Sequence, residues 1–137
     1  MERIRIKAAQ FEFIARFENK DAPATCAKFK SMLPYKERII HVRWSGEGCW
    51  IPLGELELGL KYENHTSYPA PGQIIVYPGG ISEIEILLAY GAVHFASKVG
   101  QLAGNHFLTI IEGFEHLRPL GQLVLWHGAQ DIVFEAL

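Results

Sequence analysis

Arg3-Ile4-Arg5-Ile6-Lys7 alternates polar and apolar side chains, and Phe11-Glu12-Phe13-Ile14-Ala15-Arg16-Phe17 repeats the pattern. A period of two in β-branched and aromatic residues marks half-buried strands. Ala8-Ala9-Gln10 is short enough to join the two as a hairpin, without the usual Asn-Gly signal. The period then changes. Ala22, Cys26, Phe29 and Leu33 fall on one face of a helix that Asp21 can cap, Pro23 can open and Pro34 must stop. Strand patterns return over residues 38–43, 49–53, 74–77, 83–88, 93–97, 107–112, 123–126 and 132–134, with a short helix over 114–120 cut by Pro119. Most of the 13 Gly and 7 Pro lie between these runs, where turns need them. About ten short strands and two helices predict a mainly β protein, a closed or nearly closed antiparallel barrel with one main helix and one short one.

With 137 residues the chain makes one domain, 1–137, able to bury a core without staples. Hydrophobic residues are 49% and charged residues 20%, which excludes disorder. Cys26 and Cys49 fit neither a metal-binding Cys-x-x-Cys nor a disulfide framework. No apolar run approaches the roughly 18 residues of a membrane span. The start, Met1 to Lys7, does not read as a signal peptide, so the expected location is the cytoplasm, away from membranes.

The net charge of −2 is unevenly distributed. Residues 1–45 carry ten Lys/Arg against five acids, and the remainder three against ten. Two arrangements fit: basic and acidic strands pair across a sheet, or one face carries a single sign. In the second, the stretch from Glu47 to Glu85, with six Glu and one Lys, would favour a cationic or neutral ligand. Neither arrangement offers a nucleic-acid groove. The longest segment without strand character runs from Gly59 to Gly72, and its prolines would stiffen a loop of functional length.

Three segments resemble the cyclophilins. Ala22-Pro23-Ala24-Thr25, leading through Phe29 to Leu33, is similar to their Pro-x-Thr helix start. Gly72-Gln73-Ile74-Ile75-Val76-Tyr77 resembles the glycine-started strand before their central loop. Leu102-Ala103-Gly104-Asn105-His106 and Ile110-Ile111-Glu112-Gly113 resemble their Leu-Asp-Gly-Lys-His and Val-Val-Glu-Gly. Over nearly its whole length the chain is closer still to a family of small bacterial cyclophilin-like proteins of unknown function, through Arg43-Trp44-Ser45-Gly46-Glu47, Glu63-Asn64-His65-Thr66-Ser67-Tyr68-Pro69 and Gly104-Asn105-His106-Phe107. The resemblance implies a cyclophilin-like barrel. Phe95, Leu102 and His106 match pocket-lining positions of the prolyl isomerases. Arg43 aligns with their arginine only after a one-residue shift, Cys49-Trp50-Ile51-Pro52 replaces their Phe-Met-x-Gln, and Gln101 stands at their tryptophan. What it implies is a groove in the same place with altered chemistry, and prolyl isomerisation absent or very slow.

Candidate chemistry follows from residue types. Six histidines lack metal-ligand spacing, so no metal or other cofactor is expected; His65, His106 and Glu63 or Glu47 would be the first set to try. Cys49 is either a thiol beside His41 or Arg43, or a buried apolar residue. Glu83 and Glu85 share a strand face, either solvated or as a carboxylate pair that raises its own pKa or binds a cation. Arg43 can clamp a carbonyl or carboxylate, and His106 can donate or exchange a proton near neutral pH. Trp44, Glu47, Trp50, Glu63, His65, Phe95, Leu102 and Asn105 complete the expected binding site, with the 63–68 loop over its mouth. Three functions fit: binding, with or without catalysis, of a small amide-like molecule or peptide in the modified groove; weak prolyl isomerisation; or a non-catalytic homo-oligomeric accessory role. A homo-oligomer is expected from 12% aromatic residues in a small barrel.

Overall fold

The computed structural model describes residues 2–137; Met1 lies outside the described residues. Eleven strands and two helices follow in the order β1 (Arg3–Ala8), β2 (Phe11–Phe17), α1 (Pro23–Ser31), β3 (Tyr35–His41), β4 (Gly46–Gly54), β5 (His65–Thr66), β6 (Gln73–Tyr77), β7 (Ile84–Val93), β8 (Ala96–Ser97), β9 (Gly100–Gln101), β10 (Gly104–Glu112), α2 (Leu117–His127) and β11 (Gln130–Ala136). Neighbours run β2-β1-β11-β3-β4-β7-β6-β10, and β10 pairs back onto β2, closing an eight-stranded antiparallel barrel. β5 extends the rim beside β10, and β8 and β9 form a separate small hairpin. Among the described residues no helix is long and apolar enough to cross a membrane.

The barrel closes around its alternating residues. Ile4, Ile6 and Ala8 of β1 face inward with Phe13, Ala15 and Phe17 of β2, against Phe29, Phe107 and Phe134. The rings of Phe107 and Phe134 meet Phe29 edge-on at 5.0 and 5.1 Å. Outside, the cations of β1 find carboxylates on the strands beside it: Arg5 lies 2.7 Å from Glu12 and Lys7 lies 3.2 Å from Glu135. For this face the cross-strand arrangement of the charges holds. The tight β1–β2 turn is made by Ala9 in the left-handed region, at φ 52°, where a glycine is usual.

β7 departs from simple alternation because both its faces are covered. Ile84, Ile86, Leu88 and Tyr90 face the barrel interior. Leu87, Ala89 and Val93 join Ile75, Tyr77, Phe95 and Leu102 in a second cluster on the outer face, with Val42 and Trp50 packed against it. The chain from Val93 to Leu102 folds back to cover that face, tied by Leu102 N–H to the Phe95 carbonyl at 3.0 Å and by Phe95 N–H to the Ser67 carbonyl at 2.7 Å.

Four local expectations are corrected. Asp21 does not cap α1: Ala22 occupies the N-cap, and the Glu63 carboxylate accepts from Thr25 N–H and Thr25 Oγ, both at 2.7 Å. A helix start needs any acceptor within reach for its unpaired N–H groups, and the loop supplies one. Residues 123–126 are helical, not a strand. Leu117, Leu120, Gly121 and Val124 form one buried stripe at helical spacing, and Pro119 sits in the first turn, where its missing N–H costs nothing. The longer helix is therefore the second one. Arg43, expected at the end of a strand over 38–43, lies with Trp44 in the connection after β3.

Candidate functional site

A cavity of about 530 Å³ opens on the outer face of β4 and β7. Ile40, Val42, Trp50 and Pro52 make its apolar wall, the connection Arg43-Trp44-Ser45 one side, Ala96-Ser97-Lys98 another, and Ser82, Glu83 and Glu85 the polar end. The sides are fixed to each other. Ser45 Oγ donates to the Ala96 carbonyl and accepts from Ala96 N–H, both at 3.0 Å, and His94 N–H donates to the Ser45 carbonyl. Behind Trp50 lies the buried cluster of Phe95 and Leu102, with Tyr77 edge-on to Phe95 at 6.0 Å.

Three of its side chains have unmet needs. Trp50 Nε1 is buried and has no acceptor. Glu85 is 6% exposed, and among the described residues its carboxyl makes no hydrogen bond or ion pair. Burial, reinforced by the neighbouring Glu83 charge, pushes its pKa up to about 8, so Glu85 is protonated at neutral pH. The pair is split: Glu83 is solvated as the exposed-face arrangement has it, while Glu85 is buried and its proton is held chiefly by that burial. Arg43 is exposed and pairs with no carboxylate among the described residues. Trp44 stands beside it, 59% exposed, and also lines a neighbouring hollow with Gly46, Ala92 and His94.

The other expected site residues are placed elsewhere. His65, Phe95, Leu102, Asn105 and His106 do not line the Arg43 cavity. His65 is exposed and packs on Tyr62, ring centroids 5.0 Å apart. Asn105 is fully buried and stitches the 61–63 loop to α1: its Nδ2 donates to Thr25 Oγ and the Lys61 carbonyl, and its Oδ1 accepts from Glu63 N–H. Glu63 is occupied as the cap of α1, so the 63–68 loop is a structural clamp on β10. Glu47 forms a paired contact with Arg118 at 3.1 and 3.2 Å across the α2 side of the barrel, and the Arg118 hydrogen bonds with that of Ala92 N–H hold its carboxyl below the usual range.

His106 belongs to a chain of hydrogen bonds that spans the barrel seam. Thr109 Oγ donates to Glu18 at 2.6 Å, so it accepts from His106 Nε2–H at 2.7 Å, and Arg16 closes the chain on Glu18 at 2.9 Å. Burial lowers the His106 pKa, with the Glu18 charge opposing it. Glu18 is held below its usual range because the Thr109 and Arg16 hydrogen bonds outweigh its burial. These residues join β2 to β10 where the barrel closes. Cys49 is buried, which raises its thiol to about 12, so the apolar-residue alternative holds for it. A larger, open groove between residues 54–60 and 78–84 carries the exposed, solvated carboxylates Glu55, Glu57 and Glu83 and shares Glu83 with the first cavity.

A family model described as "Protein of unknown function (DUF3830)" matches residues 4–136. The chain is a DUF3830 protein. No curated protein matches this DUF3830 chain. Among solved structures it is similar to "Structure of McbB in complex with tryptophan", at 16% identity and a TM-score of 0.70, over 97% of this chain and 44% of that one. The DUF3830 chain thus spans less than half the length of that protein. It is also similar to the solution structure of the hypothetical protein AF2241 from Archaeoglobus fulgidus, at 19% identity and a TM-score of 0.66, over 99% and 95% of the two chains. At these identities the likeness shows the barrel fold. Sequence reasoning selected Arg43, Trp44 and Trp50, which do share a cavity, but left Glu85 out of the site. Its signal was the Glu83-x-Glu85 pair entering an otherwise apolar run.

Proposed function

We propose that this protein binds a small amide-like molecule or short peptide in the Arg43 cavity, rather than in a groove lined by Phe95, Leu102 and His106 as the cyclophilin resemblance implies. The carrying observation is the lining of one cavity, which joins the exposed, unpaired Arg43 and the Trp44 indole to Glu85, a largely buried residue whose carboxyl has no partner among the described residues. A largely buried polar group without a partner costs about 1–3 kcal/mol, and a ligand that pairs with the Glu85 carboxyl removes that cost. The volume lies within the usual range of small-molecule sites, and the mixture of apolar wall and few polar groups is typical of them. The McbB structure, part of which resembles this barrel, is a complex of that protein with a small molecule, tryptophan. Tryptophan fluorescence, titrated with small amides, carboxylates and dipeptides, tests the reading. Binding is expected for some of them, weakened in Trp44→Ala and in Arg43→Ala. Silence across the whole panel, or affinities untouched by both substitutions, would overturn it. We also propose that the protein is a homo-oligomer, with the exposed Leu125 and Trp126 of α2 as the apolar side chains available for self-association.

A further inference from the structure

Resting on that reading, we infer that the ligand is an N-acyl amino acid, free or as the carboxy-terminal residue of a peptide, with Arg43 holding the carboxylate and Glu85 the adjacent amide. The unmet needs of the cavity divide in a way that selects this chemistry. Arg43 presents a planar fork of donors, lacks a carboxylate of its own, and is suited to bidentate capture of one from a ligand. A protonated carboxyl carries one O–H donor and one carbonyl acceptor on the same edge, the complement of an amide's C=O and N–H. An ionised carboxylate offers acceptors only and could not pair with the amide oxygen. The exposed Trp44 indole on the cavity's side is a platform for an apolar side chain of the ligand.

The charges around Glu85 set the ligand's charge. Glu83 precedes it in the chain, Arg43 and Lys98 line the cavity from the β3–β4 connection and the β8–β9 hairpin, and Pro52 of β4 and Tyr77 of β6 sit opposite it in register. The Tyr77 hydroxyl is committed as acceptor to Ile81 N–H at 2.9 Å. With Glu85 neutral, two cations face one carboxylate, so a monoanion is favoured. Once Glu85 ionises near pH 8, the excess of positive charge and the O–H donor are both lost. Affinity must therefore fall as pH rises through that point.

N-acetyl-L-phenylalanine and N-acetyl-L-phenylalanine amide, with a tripeptide ending in phenylalanine as free acid or amide, form the test set. They are titrated calorimetrically between pH 6.5 and 9.5. The free acids are expected to bind about tenfold tighter than their amides, a preference lost in Arg43→Ala, whose surface position spares the fold. Wild-type affinity for the acids should decline through pH 8, and Glu85→Gln, which keeps one donor and one acceptor, should bind with no such decline. Comparison of the acetyl compound with the tripeptide tells a free metabolite from a peptide end. Equal affinity for acids and amides, or a wild-type profile as flat as that of Glu85→Gln, overturns the inference while leaving a binding cavity in place. Failure of every amide, carboxylate and dipeptide to bind overturns the proposed function as well.

Discussion

Glu85 gives up water on folding and gains no partner, and the free energy of that exchange depends on pH. Its pKa rises to about 8 in the folded chain, from an ordinary value of 4.5. Between those values Glu85 holds more protons in the folded state than in the unfolded one, so the stability that this residue contributes is greatest below pH 4.5 and declines as pH climbs to 8. A shift of this size corresponds to about 3 kcal/mol across the window from pH 5 to pH 8. Glu85→Gln removes the titration. Urea unfolding of both proteins at pH 5 and pH 8 should show the wild type losing that stability relative to the variant, and parallel profiles would contradict the assignment. The residue was legible in the sequence only as half of Glu83-x-Glu85. Its burial comes with its place in the middle of the sheet, between Pro52 of β4 and Tyr77 of β6, a pairing that no local pattern announces.

Helix α2 presents the opposite case, an element whose position rests on what one residue lacks. Gly121 lies flat on the Tyr90 ring, and a Cβ added there would come within 2.5 Å of three ring atoms. Alanine is the better helix former by about 1 kcal/mol, yet Gly121→Ala should destabilise the protein by about 1–3 kcal/mol, because the helix must lift from β7. An unchanged or raised urea midpoint would show that the helix can shift freely. Legibility at this scale followed exposure. β1 and β2 have one wet face, so their period of two is plain in the sequence. β7 is covered on both faces, and its apolar run breaks no rule that locates its ends, so it is longer than the 83–88 expected. Leu123-Val124-Leu125-Trp126 is too short for its period to separate strand from helix, and Pro119 stood where a first turn tolerates it. At the site, Glu63, Asn105 and His106 have the chemistry of ligands and catalysts but are used to clamp a loop and a seam, a choice made by long-range contacts.

As a whole molecule the protein hides its strand ends in a ring while leaving Trp126 75% exposed and Leu125 46% exposed on α2. If self-association uses them, light scattering at high micromolar concentration should give a multiple of 15.4 kDa, and Trp126→Glu should restore the single-chain mass. A lone 15.4 kDa species for the unaltered protein would rule the oligomer out.

The ring itself has a consequence for synthesis. β11, the last strand, lies between β1 and β3, bonded to both along its length. A nascent chain can form the β1–β2 hairpin and the β6–β7 pair while still on the ribosome, but until Gln130–Ala136 has emerged it displays two bare strand edges and an open core. Such edges are templates for pairing with another chain. Intermediates that lack β11 should thus be clients for chaperones, and barrel closure should wait until that strand is free to pair with β1 and β3.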